Sequence, residues 1–257
     1  MSRRRWRGFA EFEMTNGQTE AIMTVCPGNP DQEGKRFKAI IEAAGAKLDR
    51  LYIIEAAELG FHNLKRLIPQ NDARSFAKFR GQQWQANHQE YIDEFMGDRC
   101  DVIPMADVVN STDHEDRIQL IRDMYHQGDN HVTRWFDYSA DLDVESRSRR
   151  KAENGVIIEP WAIKENSLDY LCEEYSMRSL MHKQFDLDEI YLGLAVQEHD
   201  FFEKLNPNSS IDLTIPQVRP ITLTEVKMEH VEKLGRAVPA NPQQRIPTYA
   251  RGLRLLG

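Results

Sequence analysis

The chain reads as an α/β protein, a single Rossmann-like domain on a mostly parallel sheet. Three features of its 257 residues carry that reading. Short apolar runs recur, each is followed by a segment with apolar residues at helical spacing, and Gly, Pro, Asn and Asp punctuate the joins. Parallel neighbours cannot be joined by a tight turn, so alternation of this kind implies crossover helices.

The elements follow in order. Ala21 to Val25 is almost uniformly apolar and runs into Pro27-Gly28-Asn29-Pro30, which predicts a buried strand ending in a turn. From Gly34 to Lys47, Phe37, Ile40, Ile41 and Ala44 recur at helical spacing, with Lys35, Arg36, Lys38 and Glu42 on the other side. Leu51 to Ile54 supplies a second buried strand, followed by a mixed segment from Glu58 to Leu67. Asp72 to Phe95 predicts a long helix, and Val102 to Met105 a short strand or edge segment. Asp113 to His126 and His131 to about Arg150 predict two more helices. Leu168 to Met181 predicts a further one, with Leu171, Tyr175, Leu180 and Met181 available for packing. Strands are expected at Glu189 to Leu192 and Ile221 to Val226, and Pro239, Pro242 and Pro247 make the tail irregular. The expected organisation is a basic, flexible arm over residues 1–18, the Rossmann-like domain over 19–232 and an irregular tail over 233–257.

Composition narrows the function classes. With 40% hydrophobic residues the chain suits a globular protein, and it has no run near the roughly 18 apolar residues of a membrane span. No apolar leader follows the start, so a cytoplasmic location without membrane attachment is expected. A net charge of −8 argues against general coating of nucleic acid, so any RNA contact needs a local basic patch. The opening Ser2-Arg3-Arg4-Arg5-Trp6-Arg7 can touch RNA, serve as a transit segment or be a plain disordered arm. Cys26, Cys100 and Cys172 are too few and too scattered for a disulfide framework or a paired zinc site. The eight histidines show no ligand spacing, and no phosphate-binding glycine loop is present, so no metal and no cofactor are expected.

One position stands out chemically. In an open parallel sheet, ligands bind beyond the carboxyl ends of the strands, and Cys26 lies at the end of the first predicted strand. A free cysteine there fits a packing residue as well as a nucleophile. The following turn can expose it, and the next helix N-terminus would favour its thiolate. Tyr170 and Glu174, four apart on a predicted helix, either converge on one group or form an ordinary amphipathic pair.

Together the pieces resemble a known family. Cys26-Pro27-Gly28-Asn29, the Tyr170–Glu174 pair and Tyr191 resemble the signature of the tRNA-dependent cyclodipeptide synthases, which begins with a nucleophilic serine after the first strand and an asparagine three positions on. His62-Asn63 after the second strand and Gly81-Gln82-Gln83-Trp84 in a long basic helix extend the likeness over roughly residues 20 to 204. The resemblance implies a fold similar to the class I aminoacyl-tRNA synthetase catalytic domain. It also implies ping-pong aminoacyl transfer between two aminoacyl-tRNAs to give a diketopiperazine, without ATP.

The resemblance also implies roles. Cys26 would carry the acyl group, and Glu174 would bind its ammonium and later move a proton, with Tyr170 positioning. Tyr191 and Asn29 would hold the acyl carbonyl or the incoming tRNA terminus. His62 and Asn63 would contact substrate, or else form a loop cap or satisfied polar pair. Apart from the resemblance, the position of Glu55 just past the second strand suits a carboxylate offered to a cationic substrate side chain, although a capping or solvated role fits better. Lys65, Arg66, Arg74, Lys78 and Arg80 would form the tRNA-binding face, or else a solvated helix surface. The partners expected are aminoacyl-tRNAs, with the protein a monomer or weak dimer. Three residues depart from the pattern: Cys26 stands for serine, Thr24 for a glycine two residues earlier, and Leu192 for the Pro or His after the tyrosine. The alternatives are a noncatalytic tRNA-binding α/β module, in which the basic helix matters and Cys26 does not, and a nucleotide-binding α/β protein.

Overall fold

A computed structural model describes residues 8–15, 17–65, 69–109, 111–154, 159–192 and 218–225. A six-stranded sheet forms the centre. Its strands are β1 (Gly8–Glu11), β2 (Glu20–Val25), β3 (Arg50–Glu55), β4 (Cys100–Pro104), β5 (Glu189–Leu192) and β6 (Val218–Glu225). They lie in the order β1-β6-β5-β2-β3-β4, all parallel except the antiparallel β1–β6 edge pair. From β2 the chain steps outward through β3 and β4, then returns to the other side of β2 for β5 and β6. Strand order therefore reverses between β2 and β5, which is where a doubly wound sheet opens a crevice for a ligand.

The helices are α1 (Gly34–Lys47), α2 (Phe61–Leu64), α3 (Gln70–Phe95), α4 (Met105–Val108), α5 (Ser111–His126), α6 (Asn130–Asn154) and α7 (Pro160–Phe185). They divide between the two faces of the sheet. Met23, Val25, Leu51 and Ile53 pack with Phe37, Ile40 and Ile41 of α1 and Trp84 of α3. Ile22 and Ile54 pack on the other face with Tyr175, Met177 and Met181 of α7 and with residues of α5 and α6. The assignment follows from the strand period of two: odd-numbered β2 residues face α1 and α3, and even-numbered ones face α7. Continuing the alternation by one step aims Cys26 toward α7.

The expected α/β class and each expected strand and helix of the sheet are present, with ends moved by a few residues. Helix α7 begins at Pro160, earlier than the periodicity suggested, because Asn166 and Ser167 look like breakers yet are buried. Ser167 is satisfied inside, donating to Asp143 Oδ2 at 2.8 Å. The N-terminal expectation needs correction. Gly8–Glu11, placed in the flexible arm, pairs with β6 in the register Gly8↔Glu225 through Glu11↔Thr222, and Phe12 is buried beside it. Four residues are too few to show a period, and the pairing partner lies more than two hundred residues away. The expected tail over 233–257 lies outside the described residues, as does Arg66.

Candidate active site

The loop after β2 is built to a strict local plan. Asn29 N–H donates to the Cys26 carbonyl at 3.0 Å, closing a turn with Pro27 and Gly28 at its centre. Proline suits the first central position of a type II turn, and the second needs positive φ, which Gly28 supplies at +96°. Side-chain bulk at Gly28 would also collide with the Arg80 guanidinium. Asn29 Oδ1 then accepts from Asp31 N at 3.0 Å, capping the short 3-10 turn Pro30–Gln32. Gln32 fastens the loop to the strand: its Oε1 accepts from Cys26 N at 2.8 Å, and its Nε2 donates to Thr24 O at 2.9 Å. Trp84 Nε1 donates to the Gln32 carbonyl at 2.9 Å and ties the turn to α3.

Cys26 meets α7 as its face predicts. Its Sγ lies 3.4 Å from the Tyr170 hydroxyl, with the thiol half-buried and Tyr170 buried. Burial, reinforced by the buried Glu174 carboxylate and by Glu55, pushes the thiol up to about 12, against the lowering effects of the Tyr170 hydrogen bond and of Arg178. The expectation of a thiolate favoured by the next helix is therefore overturned: Cys26 is a neutral thiol, and α1 starts only at Gly34. The Tyr170 hydroxyl is raised as well, first by burial and then by Cys26, Glu174 and Tyr191. Cys26, Tyr170, Glu174 and Tyr191 thus share one electrostatic site at the carboxyl edge of the sheet, between β2 and β5.

Behind it sits a charged network absent from the sequence reading. Arg178 and Glu189 have no solvent exposure at all. Arg178 Nε and Nη2 donate to Glu189 Oε2 at 3.0 and 2.7 Å, and His182 Nε2 lies 3.2 Å from the same oxygen. Thr24 Oγ1 donates to Glu189 Oε1 at 3.0 Å. Thr24 stands where the resemblance expects glycine, and its hydroxyl completes this network. The Arg178 guanidinium also lies 4.2 Å from the centre of the Tyr191 ring. A sequence signal existed: Tyr170, Glu174, Arg178 and His182 follow one another in steps of four, the stripe spacing of a helix.

The remaining candidates scatter. Glu55, at the end of β3, presses its carboxylate against α3 where glycine leaves room; a side chain begun at Gly81 would come within 2.6 Å of either oxygen. Its Oε1 accepts from Ala57 N at 2.7 Å. Burial, offset in part by that bond and reinforced by Glu58, lifts it to about 7. His62 does not join the Cys26 site; its Nε2 bonds Glu173, the neighbour of Glu174 on another face of α7. Buried Asn63 lies beside it on α2. Lys65 pairs with Asp169, which also holds Arg122 Nη2 at 2.8 Å. Arg74 lies over the Phe61 ring, 4.2 Å from its centre, and Arg74 and Lys78 are exposed on α3 together with Phe76 and Phe79. Among the described residues no group of three or more His, Cys, Asp and Glu is arranged to hold a metal, and no helix is long and apolar enough to cross a membrane.

No family model and no curated protein matches the sequence. The solved structures do. A cyclodipeptide synthase from Fluoribacter dumoffii superposes with a TM-score of 0.68 over 86% of this chain and 100% of its own, at 16% identity. The fold is that of the cyclodipeptide synthases. A cyclodipeptide synthase from Candidatus Glomeribacter gigasporarum, bound to Phe-tRNAPhe, matches at 0.63 over 91% of this chain and 96% of its own, at 13% identity. A Mycobacterium tuberculosis protein, whose structure relates cyclodipeptide synthetases to type I tRNA synthetases, matches at 0.56 over 88% and 99%, at 15% identity. The matches span nearly the whole length of those chains.

Proposed function

We propose that this chain is a cyclodipeptide synthase that joins two aminoacyl groups carried by tRNA through a thioester on Cys26. The observation that carries the reading is the 3.4 Å contact of the Cys26 thiol with Tyr170, at the strand-order reversal and beside the buried carboxylate of Glu174.

In this reading the first aminoacyl-tRNA brings an α-ammonium to Glu174, a charge-assisted contact that a carboxylate makes well. It also neutralises the carboxylate charge that raises the thiol, so binding eases proton loss from sulfur. Sulfur attacks the ester carbonyl, the bond to the ribose oxygen breaks, and the thiol proton passes by way of Tyr170 and Glu174 to that oxygen. The free amine of the second aminoacyl-tRNA attacks the thioester, returning the proton to sulfur and leaving a dipeptidyl ester on tRNA. The terminal ammonium gives a proton to Glu174, the amine so formed attacks that ester, a second proton passes from its nitrogen to the ribose oxygen, and the ring closes as tRNA leaves. Each step exchanges one acyl bond for another, so no ATP is consumed. Asn29 uses its carbonyl as a cap, and its amide hydrogens donate to no described group, which suits contact with the acyl oxygen or the tRNA terminus. Tyr191 borders the same space.

Glu55 is proposed as the selector of a cationic aminoacyl side chain. It is a half-buried carboxylate at the carboxyl edge, it acts electrostatically on Cys26, and no described cation pairs with it. His62 and Asn63 are proposed to border the substrate from α2. The tRNA face is proposed on α3, where exposed Arg74 and Lys78 supply charge and Phe76 and Phe79, 45% and 51% exposed, supply rings on which bases can stack. Arg80 at the Gly28 turn, with Lys65 and Arg66, would extend that face. The surroundings proposed are the cytoplasm, with the protein a monomer or weak dimer.

The decisive experiment gives the purified protein a mixture of charged tRNAs and analyses small molecules by mass spectrometry. Cyclic dipeptides are expected, with a basic residue in the product, and Cys26→Ala abolishes them. Full activity in Cys26→Ala would remove the thioester, and tRNA binding without product would favour the noncatalytic module.

A further inference from the structure

Beyond Glu174 the polar stripe of α7 continues inward. Arg178 is one turn beyond Glu174 and acts on three parts of the site at once. Its fork is fixed by Glu189 on β5, its plane lies 4.2 Å from the centre of the Tyr191 ring, and its charge lowers the Cys26 thiol. Glu189 is in turn bonded to Thr24 on β2, two residues before Cys26. The network therefore links the strand that ends in the thiol, the strand that carries Tyr191 and the helix that carries Tyr170 and Glu174.

We infer that Arg178 is a positioning residue of the acyl-transfer site: held by Glu189, it fixes the Tyr191 ring and supplies the positive charge that partly offsets Glu174 at Cys26. This rests on the proposed synthase reading for its catalytic consequence but not for its electrostatic one. A buried guanidinium with no other task is a poor investment for a fold, since a buried ion pair is often replaced by apolar residues without loss of stability. Here the cation is planar and sits against an aromatic face, a geometry that lysine does not reproduce. His182, on the same stripe, adds a third nitrogen to the Glu189 carboxylate.

The informative test removes the whole pair, because a single change strands the partner charge in the core. The double variant Arg178→Met/Glu189→Met keeps bulk while discarding both charges, and circular dichroism with thermal melting verifies that it is folded. Two readouts follow. Cyclic dipeptide formation from charged tRNAs is expected to fall in kcat by about tenfold or more with a smaller change in KM, because the lost contacts orient reacting groups. Alkylation of the Cys26 peptide by iodoacetamide, followed by mass spectrometry across pH, is expected to slow at fixed pH, since loss of the cation raises the thiol further. Arg178→Lys retains a charge and is expected to recover much of the alkylation profile but little of kcat. A folded double variant with wild-type kcat and an unchanged alkylation profile would overturn the inference. If the wild-type protein itself makes no cyclic dipeptide, the synthase reading fails, and the alkylation profile alone then decides the role of Arg178: slowing supports it and no change refutes it. Should the double variant fail to fold, Arg178→Lys decides on the same two measurements.

Discussion

Glu189 and Glu55 are both carboxylates on parallel strands of one sheet, and their surroundings send them in opposite directions. Glu189 is fully enclosed, yet Arg178, His182 and Thr24 contribute donors to its two oxygens, and although burial alone would raise it, Arg178 and His182 hold it down at about 2. Glu55 is less enclosed and has one backbone donor, and burial lifts it to about 7. Burial depth thus does not decide the charge of a carboxylate; the donors that accompany it do. The completed set belongs to the frame, and the incomplete one suits a ligand that brings its own cation.

That contrast breaks most visibly at Glu189. Glu189→Gln leaves the Arg178 guanidinium buried without its counter-charge, and a loss of about 3–5 kcal/mol is expected in chemical denaturation. The folded-state value of Glu189 lies below that of the unfolded chain, so its contribution is complete above about 4.5 and drains away as pH falls toward about 2. A wild-type acid limb that matches that of a folded Glu189→Gln protein would sink the assignment.

At Glu55 the sign reverses. Its folded-state value is raised, so the native protein holds a proton between about 4.5 and about 7 that the unfolded chain has lost, and stability declines as pH climbs through that window. Glu55→Gln should abolish this slope and stabilise the protein at pH 8 by on the order of 2 kcal/mol. The same variant is expected to shift the products away from basic residues by roughly tenfold, because a cationic side chain loses its charged acceptor. A more stable variant with an unaltered product spectrum would make Glu55 a cap for Ala57 and nothing more.

The smallest expected effect is at Thr24. Thr24→Val keeps the shape and removes the hydroxyl that donates to Glu189, which costs about 1 kcal/mol in a denaturant melt. A larger effect at Thr24 than at Glu189 would show that the network is anchored on β2 rather than on α7.

Local chemistry made much of this legible. Pro27 and Gly28 select their turn type, Asn29 caps the turn that follows, and a step of four places Tyr170 and Glu174 on one side of a helix, all without reference to distant residues. The strand period even sets which face Cys26 must take once a single apolar contact of β2 is known. Sequence alone could not reveal the state of the thiol, which depends on Glu174 and Glu55 approaching from α7 and β3. Nor could it pair His62 with Glu173 or Lys65 with Asp169, since each of those bonds spans more than a hundred residues.

The sequence by itself determined the alternation of strands and helices, the turn that presents position 26 and the periodic stripe along α7, because each depends on neighbours within a few residues. Only the tertiary structure decided that Gly8–Glu11 closes the edge of the sheet, that Arg178 meets Glu189, and that Glu189 gains several donors while half-buried Glu55 has a single backbone donor. Charge and hydrogen bonding inside a core are properties of what has been brought together from separate elements, and no local pattern encodes them.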